Sequence, residues 1–137
     1  MHVGPVGAGY TVKLLINLLW FGQALASAEI FTLARRAGID LGVLREAVGQ
    51  SAAATRFMTE AAEPFLTGDD LASFSLARVC KELTTVLKLG DEFDVPLELA
   101  GLIADIHRRA LAHYGDVDGE LLGARFLSER AGVNLRR

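Results

Sequence analysis

Between Leu14 and Ala34 apolar residues fall on almost every side of a helical wheel, broken only by Asn17, Gln23, Ser27, Glu29 and Thr32. Such a run predicts one long helix, starting near Gly7 to Thr11, continuing to Ala37 and stopped by Gly38. A helix apolar on most sides needs cover from its own domain or from a partner chain. Gly22, inside it, suits a place where another backbone packs closely. Asp40 reads as the N-cap of a short helix through Val48, with Val43, Leu44 and Val48 as its apolar positions. Gly49 to Ala54 is a connection, a third helix spans Thr55 to Ala62, and Pro64 to Ser75 reads as a loop. Leu76, Val79, Cys80, Leu83, Val86, Leu87 and Gly90 then repeat by threes and fours, which predicts a fourth helix. Pro96 breaks it and opens a fifth, whose expected buried stripe is Leu99, Leu102, Ile103, Ile106 and Ala110, ending near Gly115. Asp118 is the expected cap of a last helix bearing Leu121, Leu122 and Phe126. No alternating strand, repeat or low-complexity tract interrupts this series, so the fold class is all-α, with about six helices around a long N-terminal one.

Composition agrees. The 137 residues include 22 Leu and 20 Ala against three Pro, and 51% are hydrophobic. That is a single helical domain, residues 1–137, rather than a disordered chain. A net charge of −3 leaves no basic footprint, so nucleic acid is not an expected partner. The lone Cys80 cannot form an internal disulfide, no Cys/His cluster has metal-ligand spacing, and a cytoplasmic setting follows as the simplest expectation. Met1 to Gly9 lacks the basic cluster and apolar core of a signal peptide. Glu29 in the middle of the long apolar run argues against a membrane span.

Three features could carry chemistry. Gly7-Ala8-Gly9 is too close to the start to follow a strand, and Val12 stands where a dinucleotide fingerprint needs its third glycine. The glycines fit a hinge or an open helix start instead. Lys13 and Asn17 are four apart and share a helix face. A lysine heading an apolar run loses hydration, which suits an amine to general acid/base work, while an Asn one turn on can hold a carboxylate or hydroxyl. On the residues alone, Lys13 could equally snorkel and Asn17 could bond a neighbouring helix. Lys81-Glu82 reads as a solvated pair.

The run Gly4-Pro5-Val6-Gly7-Ala8-Gly9-Tyr10-Thr11-Val12-Lys13-Leu14-Leu15-Ile16-Asn17 resembles the start of the C-terminal domain of the β-hydroxyacid dehydrogenases. This superfamily includes 3-hydroxyisobutyrate dehydrogenase and tartronate semialdehyde reductase and is related to 6-phosphogluconate dehydrogenase. Ala37-Gly38-Ile39-Asp40 supports the likeness. So do Val95-Pro96-Leu97 and Tyr114-Gly115-Asp116-Val117-Asp118. Phe74 to Leu83 is similar to the family's block of Phe, six residues, then Lys-Asp-Leu, with Glu82 in place of the usual Asp.

The resemblance implies the all-α fold of a 6-phosphogluconate dehydrogenase C-terminal domain. It further implies Lys13 as the catalytic acid/base and Asn17 as a substrate-binding residue that supports it. Phe74, Lys81 and Glu82 would lie at the cofactor, NAD or NADP, and no metal is called for. The expected activity is that of an NAD(P)-dependent oxidoreductase on a short 3-hydroxy acid or its semialdehyde. The lysine favours carbonyl/alcohol chemistry over imine reduction, and the chain's length favours the small-acid branch. In the family a Rossmann domain precedes this segment. The chain is therefore expected to be the C-terminal half of a two-domain dehydrogenase, inactive by itself, and a homodimer through the long helix. The competing expectation is a non-catalytic helical dimerisation module.

Overall fold

The structure, a computed structural model, describes residues 2–136. Six α-helices account for most of them: α1 (Ala8–Arg36), α2 (Leu41–Gly49), α3 (Ala62–Leu66), α4 (Leu76–Glu92), α5 (Glu98–Tyr114) and α6 (Leu122–Arg130). The all-α expectation is met: among the described residues there is no strand, and an isolated β-bridge joins Ser75 to Asp118.

Helix α1 starts where Gly7 takes a left-handed φ of 92°, open to the surrounding space. It ends in a Schellman motif: the Gly38 and Ile39 amides donate to the carbonyls of Arg35 and Ala34, with Gly38 left-handed as the stop requires. By length and hydropathy this helix could cross a membrane, yet here it is the axis of the domain, with α2, α4, α5 and α6 packed along it. Phe21, Ala24, Leu25, Ala28 and Phe31 form its buried stripe. Its opposite side is uncovered: Leu15, Ile16, Leu19 and Leu33 are 49–71% exposed. Gly22 meets the Ile103 side chain of α5, not a backbone as expected.

Asp40 caps α2 by accepting from the Val43 amide at 3.0 Å, as its spacing predicted. Of the three apolar positions read for that helix, Val43 turns out to face water, and Leu41 takes the buried place. The third helical stretch departs further from expectation. A π-helical turn, Phe57–Ala61, runs straight into α3, so Pro64 sits inside a helix instead of opening a loop. The Ala62 amide reaches back five residues to the Phe57 carbonyl. The widened turn makes room for a proline ring that would otherwise press on the carbonyl four residues earlier.

The buried positions of α4 are those its period gave: Leu76, Val79, Cys80, Leu83, Val86 and Gly90. The stripe on α5 is rotated instead. Ala100, Ala104 and His107 join Ile103, Ile106 and Ala110 inside, whereas Leu99 and Leu102 point outward beside Leu15 and Leu19 of α1. Together they line an apolar groove of about 900 Å³ between α1 and α5. The last helix begins at Leu122 without a side-chain cap, so Asp118 is not its N-cap. Asp118 is drawn instead into the bridge with Ser75.

Candidate functional site

Lys13, Asn17 and Trp20 follow one another at i, i+4 and i+7, so they share one stripe of α1. That stripe faces the start of α4 and two loops, residues 69–75 and 115–121, which are laced together by backbone hydrogen bonds. Leu76 donates to Val117, Gly119 to Phe74, Glu120 to Leu71 and Leu121 to Asp70, all between 2.8 and 3.0 Å. Beneath the loops lies Arg125, only 2% exposed. Its Nε and Nη2 lie 3.0 and 2.9 Å from Asp70 Oδ1, and Nη2 also donates to the Phe65 carbonyl at 2.6 Å. This clasp fixes where Phe74 and the first turn of α4 stand. Ser75 then caps α4 by accepting from the Arg78 amide, and Asp116 accepts from the Ala77 amide at 3.1 Å.

The two resemblance motifs meet at one bond. Asn17 Nδ2 donates to Glu82 Oε2 at 2.8 Å, joining α1 to α4 across 65 residues. Glu82 is therefore no ordinary solvated carboxylate: its side chain is 12% exposed, with Arg78 Nε 3.9 Å from Oε1. The Arg78 guanidinium also lies 4.4 Å over the Phe74 ring, so Phe74 is linked to Glu82 through one cation. Glu82, at the position where the resemblance implies Asp, thus reaches Asn17 through its own carboxylate.

Lys13 shares the stripe but its side chain is exposed, so the loss of hydration expected at the head of an apolar run is absent in this domain. Lys81 is likewise exposed, one residue before the Glu82 that binds Asn17. One turn beyond Asn17, the Trp20 indole donates to Glu120 Oε1 at 3.2 Å, and Ser73 Oγ donates to Glu120 Oε2 at 3.1 Å. Burial raises the Glu120 carboxyl above its ordinary range; the two donors pull it down, and the charge of Glu82 raises it further. Trp20, Ser73, Arg78 and Glu120 were not singled out from sequence. Only Trp20 left a signal, its place seven residues after Lys13.

A family profile described as the NAD-binding domain of NADP-dependent 3-hydroxyisobutyrate dehydrogenase matches residues 7–123. The chain belongs to that family. Within this 3-hydroxyisobutyrate dehydrogenase family, 2-(hydroxymethyl)glutarate dehydrogenase of Eubacterium barkeri is 31% identical over 106 residues, covering 77% of this chain and 35% of the relative. A solved 3-hydroxyisobutyrate dehydrogenase from Salmonella typhimurium superposes with a TM-score of 0.77 at 26% identity, over 87% of this chain and 42% of that one. A second, from Mycobacterium tuberculosis and solved with L-serine, gives 0.79 at 23% identity over 95% and 46%, a likeness of fold. Cytokine-like nuclear factor N-PAC from Homo sapiens is 26% identical over 110 residues, 80% of this chain and 20% of its own length. The chain thus spans about a third of the first relative and under half of the two solved chains.

The family's cofactor is NAD(P), as the resemblance implied. The chemistry of the residues present does not conflict with such a group: Phe74 is a half-buried ring with Arg78 stacked over it, and Lys81 is an exposed cation on the following helix. Among the described residues no strand-to-helix glycine turn completes a dinucleotide site.

Proposed function

We propose that this chain is the helical, substrate-side half of an NAD(P)-dependent oxidoreductase acting on a short 3-hydroxy acid or its semialdehyde, with Lys13 as the general acid/base. The observation that carries the reading is the Asn17–Glu82 hydrogen bond, which draws both family motifs onto one face beside an uncommitted lysine. Lys13 Nζ takes the proton from the substrate hydroxyl in oxidation and returns it in reduction, a role that needs a group at hydrogen-bond reach of that oxygen. Asn17 spends one amide hydrogen on Glu82; its carbonyl oxygen and second N–H remain to orient the substrate. Phe74 and Lys81 form the wall toward the cofactor, and Glu82 acts there through Asn17 and Arg78. Bound nicotinamide supplies the hydride acceptor or donor. Lys13 is exposed here, so its hydration is stripped only when a second surface, contributed by a nucleotide-binding domain, closes over it.

The uncovered leucines of α1 and α5 support a homodimer through this face, the second element of the reading. The lone, buried Cys80 is compatible with a reducing cytoplasm. The test of the catalytic reading is an NMR titration of the 137-residue chain with 3-hydroxyisobutyrate and with NADP⁺, using Lys13→Met as control. Shifts centred on Asn17, Phe74 and Lys81, weak in affinity and lost for the acid in the variant, are expected. Shifts scattered elsewhere, or unchanged by the variant, would reject it. For the dimer, sedimentation equilibrium should give twice the chain mass and Leu19→Glu a monomer; a monomeric wild type refutes that part.

A further inference from the structure

Glu120 is a carboxylate that touches both sides of the cleft without belonging to either family motif. It is 8% exposed, and both its oxygens are engaged. One accepts from the Trp20 indole on α1, at the inner end of the Lys13–Asn17 stripe. The other accepts from Ser73, the residue before Phe74. Its backbone is tied as well, since the Glu120 amide donates to Leu71 and the neighbouring Gly119 amide donates to the Phe74 carbonyl. Trp20 is braced from behind by the Phe57 ring, edge-on at 5.3 Å, so the indole has little freedom to follow a moving partner.

We propose that Glu120 is a positioning residue of this site: by holding Trp20 and Ser73 on its two oxygens it sets the separation between the Lys13–Asn17 stripe of α1 and the Phe74 wall. The proposal rests on the reading of that face as the substrate and cofactor side. A buried carboxylate is suited to the task because each oxygen binds a donor more strongly than a neutral acceptor would. Removing it leaves an indole N–H and a hydroxyl without their acceptor. The groups facing Glu120 are Trp20 from α1, Ser73 from the loop, and the charged Glu82 from α4.

The chain has a single tryptophan, so one indole N–H resonance and one emission band report this contact directly. The experiment follows the Trp20 Nε1–H and the Phe74 and Asn17 amide resonances of the 137-residue chain as pH is lowered from 8 to 4, in wild type and four variants. In wild type the Trp20 and Phe74 signals are expected to move together with one midpoint. Glu120→Gln keeps an acceptor for the indole and a partner for Ser73, so it should retain the neutral-pH positions while losing the step. Ser73→Ala, at an exposed residue, should shift the midpoint upward by removing a donor that favours the ionised form. Glu82→Gln should preserve the step in Trp20. Glu120→Ala should displace Trp20, Phe74 and Asn17 together at every pH. A step that survives in Glu120→Gln, or Phe74 and Asn17 signals unmoved in Glu120→Ala, overturns the proposal. Should Glu120→Ala not fold, the Gln and Ser73 variants decide alone. None of these readouts needs substrate, so failure of the dehydrogenase reading would appear separately, as absent hydroxy-acid shifts in wild type.

Discussion

Replacing Arg125 by Met keeps an apolar stem of similar length and deletes the guanidinium on which the two loops hang. The side chain is 3% exposed, and its partner Asp70 17% exposed. Deletion therefore strands a carboxylate that water reaches only partly, and it also frees the Phe65 carbonyl that accepts at 2.6 Å. Breaking a buried pair from one side costs about 3–5 kcal/mol, and the partial access of water to Asp70 puts this case near 3. Against a total of roughly 5–15 kcal/mol for a domain, that is a large share. At this chain length it lowers Tm by about 10 °C. Removing the stranded charge should recover part of the loss. Asp70→Asn combined with Arg125→Met is expected to cost less than the two single changes added, by about 1–3 kcal/mol. Arg125 Nη1 is buried with no partner, which makes the wild-type pair weaker than its three contacts suggest and the rescue more complete. Urea unfolding followed by the emission of Trp20 gives all four corners of this cycle. If Arg125→Met costs under about 1 kcal/mol, or the double variant shows strict additivity, the clasp does not hold the loops as described.

Three further outcomes follow, two from buried contacts and one from an exposed side chain. Gly123→Ala would place a Cβ 2.6 Å from His107 Nε2 in a packed interior, and should cost about 1–3 kcal/mol by urea unfolding; no loss would show that α5 and α6 separate easily. Burial holds His107 below the ordinary imidazole range while its Nδ1 lies 2.8 Å from the Ile103 carbonyl. The unfolded chain then takes up a proton that the folded one refuses. Stability is full above the ordinary value of 6.5 and is lost as pH falls from there toward the folded pKa, so unfolding midpoints at pH 7.5 and 5 should differ more in wild type than in His107→Gln. Equal differences would assign the acid sensitivity elsewhere. Lys13→Met should change stability by no more than about 0.5 kcal/mol, because the side chain is exposed; a larger loss would mean the lysine is kept for packing.

What could be read from the sequence was what neighbours along the chain decide. The cap at Asp40, the stop at Gly38 and the period of α4 each depend on residues within about a turn of one another, and each appears as expected. Pro64 failed because a proline's usual effect was overridden by a π-helical turn that no local pattern announces. Leu99 and Leu102 failed differently: an apolar residue at the right spacing signals a surface that avoids water, not which surface covers it. For the site, the resemblance supplied Asn17 and Glu82, and the structure supplied their bond. Glu120 and Arg125 carried no sequence signal at all, since an acidic or basic residue near a helix start reads as solvated until its partners, 100 and 55 residues away, are known.

Those separations have a kinetic meaning. Helix formation needs only near neighbours, whereas the contacts that shape the cleft close loops of 65 residues between Asn17 and Glu82 and 100 between Trp20 and Glu120. Loop closure is the slow, entropically costly part of folding, so the helices are expected to form before the contacts that shape the cleft. Along the chain, α1 and its Lys13–Asn17 stripe precede Glu120 and Arg125 by about 100 residues, so the stripe is made well before the two residues that complete its surroundings. A chain ending before residue 120 holds five of the six α-helices and both partners of the Asn17–Glu82 bond, but neither Glu120 nor Arg125, the residues that tie the loops to α1 and to each other.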